Sequence, residues 1–312
     1  MKLATFIREA SEALCALYPP GEARSMVSRL VEEKMGVKPY EVVLEPELEA
    51  APWLGRALDR LLKGEPLQYV TGVQYFCGRR FHVEPGVLIP RPETEMLVEE
   101  AVKRAKERKA AGVDAGLRVL DLCTGSGCIA WSICQELPEA EVIGVDLSME
   151  ALDVAVRQFP DYHPQKPADL RTDAAKSGGA SSESGEIEDG RPIFLQADVL
   201  TGEGMPEGPF DILTANPPYI RESERAAMHH NVLDYEPAMA LFVPDADPLV
   251  FYRAIAAHAV RLLSPGGWGM VEINEALGWQ TAEVFRRAGL AKVEIIRDFF
   301  GKERFVSFVR QA

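Results

Sequence analysis

Apolar residues recur at two different spacings along the chain. Over roughly the first sixty residues they return every three or four positions, which is the spacing of an amphipathic helix. Prolines at 19, 20 and 39 interrupt this pattern. The sequence therefore predicts a small helical bundle. Between residues 75 and 83 the spacing changes to strand character that suits a hairpin.

From residue 118 onward, short apolar runs alternate with helical stretches. Strands are predicted at 118–122, 141–145, 192–195, 210–215, 268–273, 292–297 and 304–310, and helices at 128–137, 247–263 and 277–288. Alternating strands and helices predict an α/β fold, and the last two strands predict a terminal antiparallel pair.

These patterns divide the chain into three parts. Residues 1–64 form the bundle, 65–92 a connector with the hairpin, and 93–312 the α/β domain. Residues 161–190 have the small polar composition of a flexible insert, with seven acidic residues against three basic ones. We expect this insert to have no role of its own.

The net charge of −14 limits the class of partner. Proteins that grip nucleic acid present basic patches, and this chain shows none, so no direct nucleic-acid binding is expected. No apolar run is long enough to span a membrane, and the amino terminus lacks a signal-peptide core. The five cysteines show no metal spacing and are typical of thiols in a reducing cytoplasm, so no metal is predicted.

The tetrapeptide Asn216-Pro217-Pro218-Tyr219 ends an apolar strand and carries the strongest chemical signal. The two prolines hold the backbone stiff and out of the helical region. The Asn216 side-chain oxygen and the Pro217 carbonyl can then accept from one nitrogen that bears two N–H groups, with the Tyr219 ring over its flat face. Amides, exocyclic base amines and guanidinium groups fit this description.

A glycine-rich loop, residues 123–127, lies between a predicted strand and a helix. Its amides favour a negative group such as a carboxylate. Asp146 ends the next strand about twenty residues later, at the offset where a carboxylate holds ribose hydroxyls. Asp198 and Val199 follow a further strand, at the edge where an adenine would lie. The loop, with Ala130, also satisfies a dinucleotide fingerprint.

S-adenosylmethionine accounts for both sites, because it carries a carboxylate, a ribose and an electrophilic methyl group. A nicotinamide cofactor would leave the tetrapeptide without a function. The sequence thus predicts a methyltransferase that acts on a planar amino group.

The chain also resembles a known family, the release factor glutamine methyltransferases (HemK/PrmC). The resemblance covers most of the chain from about Gly64 to its end. It rests on four segments: Ile89-Pro90-Arg91-Pro92-Glu93-Thr94-Glu95, the loop 121–127, the tetrapeptide, and Asp298-Phe299-Phe300-Gly301-Lys302-Glu303-Arg304. It implies a seven-stranded Rossmann-like class I methyltransferase sheet and N5 methylation of the glutamine in the Gly-Gly-Gln motif of class 1 peptide chain release factors.

The resemblance assigns a role to each matching position. The methionine part of S-adenosylmethionine falls to Cys123, Thr124, Gly125, Ser126 and Gly127, the ribose to Asp146, and the adenine to Val199. Asp198 is a further cofactor-binding candidate from its place after a strand, and it ranks below Asp146. The substrate glutamine falls to Asn216, Pro217, Pro218 and Tyr219, with Asn216 as the catalytic residue and also beside the cofactor. The family's loop usually begins with glycine where this chain has Cys123.

The same resemblance bears on the partners of the chain. It implies a class 1 release factor as the protein substrate. Separately, we expect a cytoplasmic monomer, and we hypothesise that the bundle at 1–64 docks this substrate. Three alternatives stay open from the residues: glutamine methylation of a ribosomal protein, adenine-N6 methylation of DNA with the base flipped out, and a cofactor-binding protein without activity.

Overall fold

The computed structural model describes residues 1–45, 47–112, 116–162 and 190–311, so the insert predicted at 161–190 lies almost wholly outside the described residues. In these ranges the helices are α1 (Leu3–Leu14), α2 (Pro20–Met35), α3 (Pro39–Leu44), α4 (Leu54–Leu62), α5 (Leu67–Thr71), α6 (Glu95–Ala110), α7 (Cys128–Glu136), α8 (Met149–Val156), α9 (His230–Tyr235), α10 (Ala238–Leu241), α11 (Val250–Leu262) and α12 (Gly278–Arg287). The strands are β1 (Val73–Phe76), β2 (Arg79–His82), β3 (Arg118–Leu122), β4 (Glu141–Asp146), β5 (Ile193–Gln196), β6 (Phe210–Ala215), β7 (Ile220–Arg221), β8 (Phe242–Val243), β9 (Leu263–Glu272), β10 (Ala291–Arg297) and β11 (Glu303–Val309). Of the helices described, none combines the length and the apolar character needed to cross a lipid bilayer.

The chain forms two compact units. Unit 1 comprises Met1–Pro90 with Ile220–Asp245, and unit 2 comprises Arg91–Tyr219 with Ala246–Ala312. The sequence assigned residues 220–245 to the α/β domain, whereas they group with unit 1.

Specific contacts tie residues 220–245 into unit 1. The Ile89 N–H donates to Glu236 Oε2 at 3.0 Å, and the Tyr235 hydroxyl donates to the Lys63 carbonyl at 2.9 Å. The His229 ring stacks on Tyr18 with 5.8 Å between the ring centres. Such contacts join residues far apart in the sequence, which is why local patterns do not show them.

The docking role of the bundle stays a prediction.

Unit 1 is built around the predicted helices. The buried faces of α1 and α2 supply residues at helical spacing, and α4 and α5 close the cluster with Leu54, Leu61 and Leu67. Strands β1 and β2 pair as the predicted antiparallel hairpin.

Unit 2 contains the sheet. Its seven described strands lie in the order β10-β11-β9-β6-β3-β4-β5. The five strands from β9 to β5 run parallel, and β11 is antiparallel to both β9 and β10. The predicted fold class, a seven-stranded sheet with a terminal antiparallel pair preceded by a helical bundle, is confirmed.

Strand β9 begins five residues earlier than the sequence indicated. Ser264-Pro265-Gly266-Gly267 has the composition of a turn, yet Leu263 already pairs with Phe210. An irregular register between Phe210 and Ile212 accommodates the extra residues.

Four adjacent parallel strands end at the same level, because Leu122 pairs with both Val145 and Ala215, and Ala215 pairs with Val271. The residues at these carboxyl ends therefore share one edge of the sheet. Ligands of open α/β sheets bind at this edge.

Candidate functional site

The predicted site residues come together at the carboxyl edge of unit 2. From β9 to β4, the strands end next to Glu272, Asn216, Cys123 and Asp146. Asp198 follows β5, the outermost parallel strand, and so lies at the same edge. Fold topology thus brings residues that are up to about 150 positions apart into one row.

The glycine-rich loop contains two left-handed glycines. Gly125 has φ +55°, and Gly127, which precedes α7, has φ +76°. A Cβ built on Gly127 would lie 2.9 Å from both Phe194 and Ala155, so this glycine is also needed for packing. A Cβ on Gly125 would meet nothing within 4 Å. The open space beside the Gly125 backbone is where a bound ligand can approach closely.

Cys123 adopts the same left-handed conformation, with φ +56°. This is a conformation that glycine favours, which explains why the family's loop usually has glycine there. The chain tolerates a Cβ at this position at a cost of about 1–2 kcal/mol. The thiol packs against the sheet core, and burial, with the charges of Asp146 and Asp121, raises its pKa well above the ordinary value. A raised pKa disfavours the thiolate, which is the reactive form of a cysteine.

Asp146 is fixed by the backbone on both sides. The Gly125 N–H donates to its Oδ2 at 2.8 Å, and the Ser148 N–H donates to its Oδ1 at 2.9 Å. Burial raises the pKa of this carboxyl, and the backbone donors act in the opposite direction. Each Asp146 oxygen keeps a further lone pair, so the two oxygens can still accept from two hydroxyls of a ribose.

Asp121 is a buried carboxylate beneath the loop for which the sequence suggested no role. It accepts from the Thr124 hydroxyl at 2.6 Å and from the Thr214 hydroxyl at 2.8 Å. Burial raises the pKa of Asp121 to about 7. The two threonines tie β3 to the loop and to β6. An aspartate inside an otherwise apolar strand was the available signal.

Asp198 and Val199 occupy different environments. Asp198 is half-buried, and its Oδ1 accepts from the Leu200 N–H at 2.8 Å. The Val199 side chain is buried in the core, and its carbonyl contacts His258 Nε2 at 2.8 Å. The adenine assignment of Val199 stays a prediction.

The tetrapeptide is partly buried. Both prolines are buried, and the Asn274 side-chain NH2 donates to the Tyr219 carbonyl at 3.2 Å. The Asn216 Nδ2 donates to Thr94 Oγ1 at 3.3 Å. Across the described ranges, no donor is bound to Asn216 Oδ1 or to the Pro217 carbonyl. Those are the two oxygens for which the sequence predicted a substrate role.

Glu272, at the end of β9, is a site residue that the sequence pattern did not reveal. It is 1% exposed, and it accepts from Thr94 Oγ1 at 2.7 Å and from the Tyr219 hydroxyl at 2.9 Å. Burial raises its pKa, whereas the two hydroxyl donors and the charge of Arg304 lower it. Burial and the Glu272 charge also raise the pKa of Tyr219 well above its ordinary value. The only sequence signal was a charged residue within a predicted buried strand.

No three His, Cys, Asp or Glu side chains are grouped so that they could hold a metal ion, as far as the chain is described. Three carboxylates lie at or beneath this edge, and each accepts from a hydroxyl or a backbone donor: Asp121, Asp146 and Asp198.

Comparison with known proteins gives extensive matches. A release factor glutamine methyltransferase of Bacteroides thetaiotaomicron is 36% identical over 310 residues, which is 98% of each chain. A protein of the same name from Cereibacter sphaeroides is 35% identical, and the match covers 98% of each chain. Another from Flavobacterium psychrophilum is also 35% identical, and the match covers 95% of this chain and 94% of the relative.

One solved structure, the release factor-specific protein-(glutamine-N5) methyltransferase of Alicyclobacillus acidocaldarius, is 26% identical and has a TM-score of 0.39. It covers 74% of this chain and 100% of that one. No protein-family model matches the chain.

Proposed function

The chain belongs to the release factor glutamine methyltransferase family, and on this premise we propose that it methylates the side-chain amide nitrogen of a glutamine in a class 1 peptide chain release factor. The methyl donor is S-adenosylmethionine. The glutamine is that of the Gly-Gly-Gln motif implied by the sequence resemblance.

The loop and Asp146 fit this donor. The open space beside Gly125 admits a ligand against the backbone, and the free lone pairs of Asp146 suit the two ribose hydroxyls. When bound, S-adenosylmethionine supplies an electrophilic methyl group on a sulfonium. The carboxylates at the carboxyl edge of the sheet suit the positive charge of the sulfonium.

An amide nitrogen is a poor nucleophile, because its lone pair is delocalised into the carbonyl. Acceptors on both of its N–H groups orient the nitrogen and stabilise the positive charge that develops as it is alkylated. Asn216 Oδ1 and the Pro217 carbonyl are suited to this, and correct alignment contributes roughly 7 to 11 kcal/mol. As the nitrogen–carbon bond forms, the sulfur–methyl bond of the donor would break and S-adenosylhomocysteine would be the leaving group. The alkylated nitrogen is acidic, and one of its protons leaves to solvent or to the carbonyl already bonded to it.

A single observation carries the proposal: Asn216 binds Thr94 through its NH2 group, while its oxygen and the Pro217 carbonyl bind no donor in the part of the chain that is described. The tetrapeptide therefore offers acceptors rather than donors. An acceptor pair selects a substrate nitrogen with two N–H groups.

The test is methyl transfer from labelled S-adenosylmethionine to a release factor, a ribosomal protein or DNA. We expect label in the release factor only, and none when its Gly-Gly-Gln glutamine is replaced by alanine. Label in DNA or in the ribosomal protein alone would reverse the proposal.

The Asn216→Ala variant tests the catalytic role. Turnover should fall about 100-fold or more, by analogy with the loss of one preorganised hydrogen bond to developing charge. Asn231→Ala is the matched control, because Asn231 is also half-buried and contacts one side chain, His229, at 3.0 Å. Equal turnover of the two variants would refute the role of Asn216.

We further propose a cytoplasmic monomer that does not contact nucleic acid directly. The net charge of −14 supports the last point, because phosphate contacts require a basic surface. A dimer in sedimentation analysis, or retention on DNA at moderate salt, would contradict these assignments.

A further inference from the structure

Three side chains from separate segments form a chain of hydrogen bonds that ends at Asn216. Thr94, in the 3₁₀ turn Pro92–Thr94, donates to Glu272 Oε2 at 2.7 Å and accepts from Asn216 Nδ2 at 3.3 Å. Thr94 is 2% exposed and Glu272 is 1% exposed, so water does not compete for the bond between them.

The chemistry of these groups fixes the direction of each bond. A carboxylate only accepts, and a hydroxyl has one hydrogen to donate. The second oxygen of Glu272 takes the hydrogen of Tyr219 at 2.9 Å, so neither oxygen is a donor. The Thr94 hydrogen is thereby committed to Glu272, and Thr94 presents only lone pairs to Asn216.

An asparagine amide can in principle point either end toward a neighbour, and the two ends are distinguished by their hydrogen bonds. Facing a hydroxyl that can only accept, Asn216 must present its NH2 group. Its oxygen is then directed away from Thr94. This orientation is the one in which Asn216 acts as an acceptor.

We propose that Glu272 and Thr94 are positioning residues for methyl transfer, which hold the Asn216 amide with its oxygen available to the substrate nitrogen. This inference rests on the proposed function and adds to it the groups that set the polarity of the site. Burial raises the pKa of Glu272, and the Thr94 and Tyr219 hydroxyls and the Arg304 charge act in the opposite direction. Arg304 is itself held by Asp298 at 3.0 Å.

The first test compares two substitutions of Thr94 in the full chain. Thr94→Val keeps the shape and removes the hydroxyl, and Thr94→Ser keeps the hydroxyl. We expect kcat on a release factor to fall about 10- to 100-fold in Thr94→Val, because Asn216 loses its orienting partner. Thr94→Ser should stay within about threefold of wild type, and both should keep their KM and their affinity for S-adenosylhomocysteine.

The loss of activity in substitutions of Glu272 should depend on whether the new side chain still offers an acceptor to Thr94. Glu272→Gln keeps one oxygen for Thr94 and can donate to Tyr219, so it should lose less activity than Glu272→Met, which offers no comparable acceptor. Tyr252→Phe is the control, because it removes a buried hydroxyl that donates to the Glu272 backbone carbonyl at 3.2 Å and leaves the carboxylate alone. Its kcat should equal that of wild type.

A double-mutant cycle separates positioning from a merely structural role. If Thr94 acts through Asn216, adding Thr94→Val to Asn216→Ala should cause no further loss of kcat. Additive losses, or a normal kcat in Thr94→Val, would overturn the inference. If Thr94→Val does not fold, Thr94→Ala and the Glu272 series are judged by the same criteria.

The failure of this inference is distinguishable from that of the proposed function. A wild-type enzyme that does not label a release factor refutes the function. A wild-type enzyme that labels it, with Thr94→Val and Glu272→Met equally active, refutes only the positioning role.

Discussion

Replacing Gly125 by alanine should separate cofactor binding from folding. Gly125 has φ +55°, and a Cβ there would meet no protein atom within 4 Å. The left-handed conformation costs alanine about 1–2 kcal/mol, and the less flexible unfolded chain returns about 0.4–1 kcal/mol. The free energy of unfolding should therefore fall by about 1 kcal/mol.

The effect on the cofactor should be larger. The alanine N–H can still donate to Asp146, so the carboxylate stays in place, but the new methyl group fills the space that the cofactor needs. We expect the affinity for S-adenosylhomocysteine to fall at least about tenfold, which corresponds to about 1.4 kcal/mol. Calorimetric titration measures this loss, and urea unfolding measures the change in stability.

Gly36 supplies a matched control. It ends α2 with φ +70°, and a Cβ there would also meet no atom within 4 Å, but it lies in unit 1 and outside the row of site residues. Gly36→Ala should lose about the same stability and no affinity. A Gly125→Ala variant that binds S-adenosylhomocysteine as tightly as Gly36→Ala would refute the placement of the cofactor beside the loop.

Two further predictions concern the residues around this loop. Cys123→Gly should keep its cofactor affinity and change the free energy of unfolding by less than about 1 kcal/mol, because relief of left-handed strain is offset by a more flexible unfolded chain. A decrease in the free energy of unfolding above about 2 kcal/mol, measured by urea unfolding, would contradict this. Asp121 has a folded-state pKa of about 7 against an ordinary 3.8, so its contribution to stability is present at low pH and is lost as the pH rises between these values. Relative to Asp121→Asn, the wild type should lose up to about 4 kcal/mol between about pH 4 and pH 7, and parallel stability curves would refute the assignment.

The order of strands and helices in unit 2 could be predicted because each buried strand is a short apolar run that ends in a polar residue. Phe210–Ala215 is buried throughout, and Asn216 follows it at once. Parallel strands then place such polar ends together. The edge that holds the loop, Asp146 and the tetrapeptide thus followed from local patterns.

The polar contacts beneath the site could not be predicted in the same way. Thr94 and Glu272 are 178 positions apart, and neither local context, before a helix and within a strand, indicates the partner of the residue. Asp121 likewise meets Thr214 across 93 positions. Hydrogen-bond partners of buried polar residues depend on tertiary packing, which a single sequence does not display.

The close approach of Phe194 to the loop has a consequence for how related sequences can vary. The ring lies where a Cβ on Gly127 would be 2.9 Å away, and a Cβ on Gly144 of the neighbouring strand would be 2.8 Å away. A larger residue at either glycine therefore requires a smaller side chain at position 194, together with a shift of Ala155 beside Gly127 or of Thr124 beside Gly144. These three positions should therefore covary among homologues, and a natural enzyme with alanine at 127 should have lost the aromatic ring on β5.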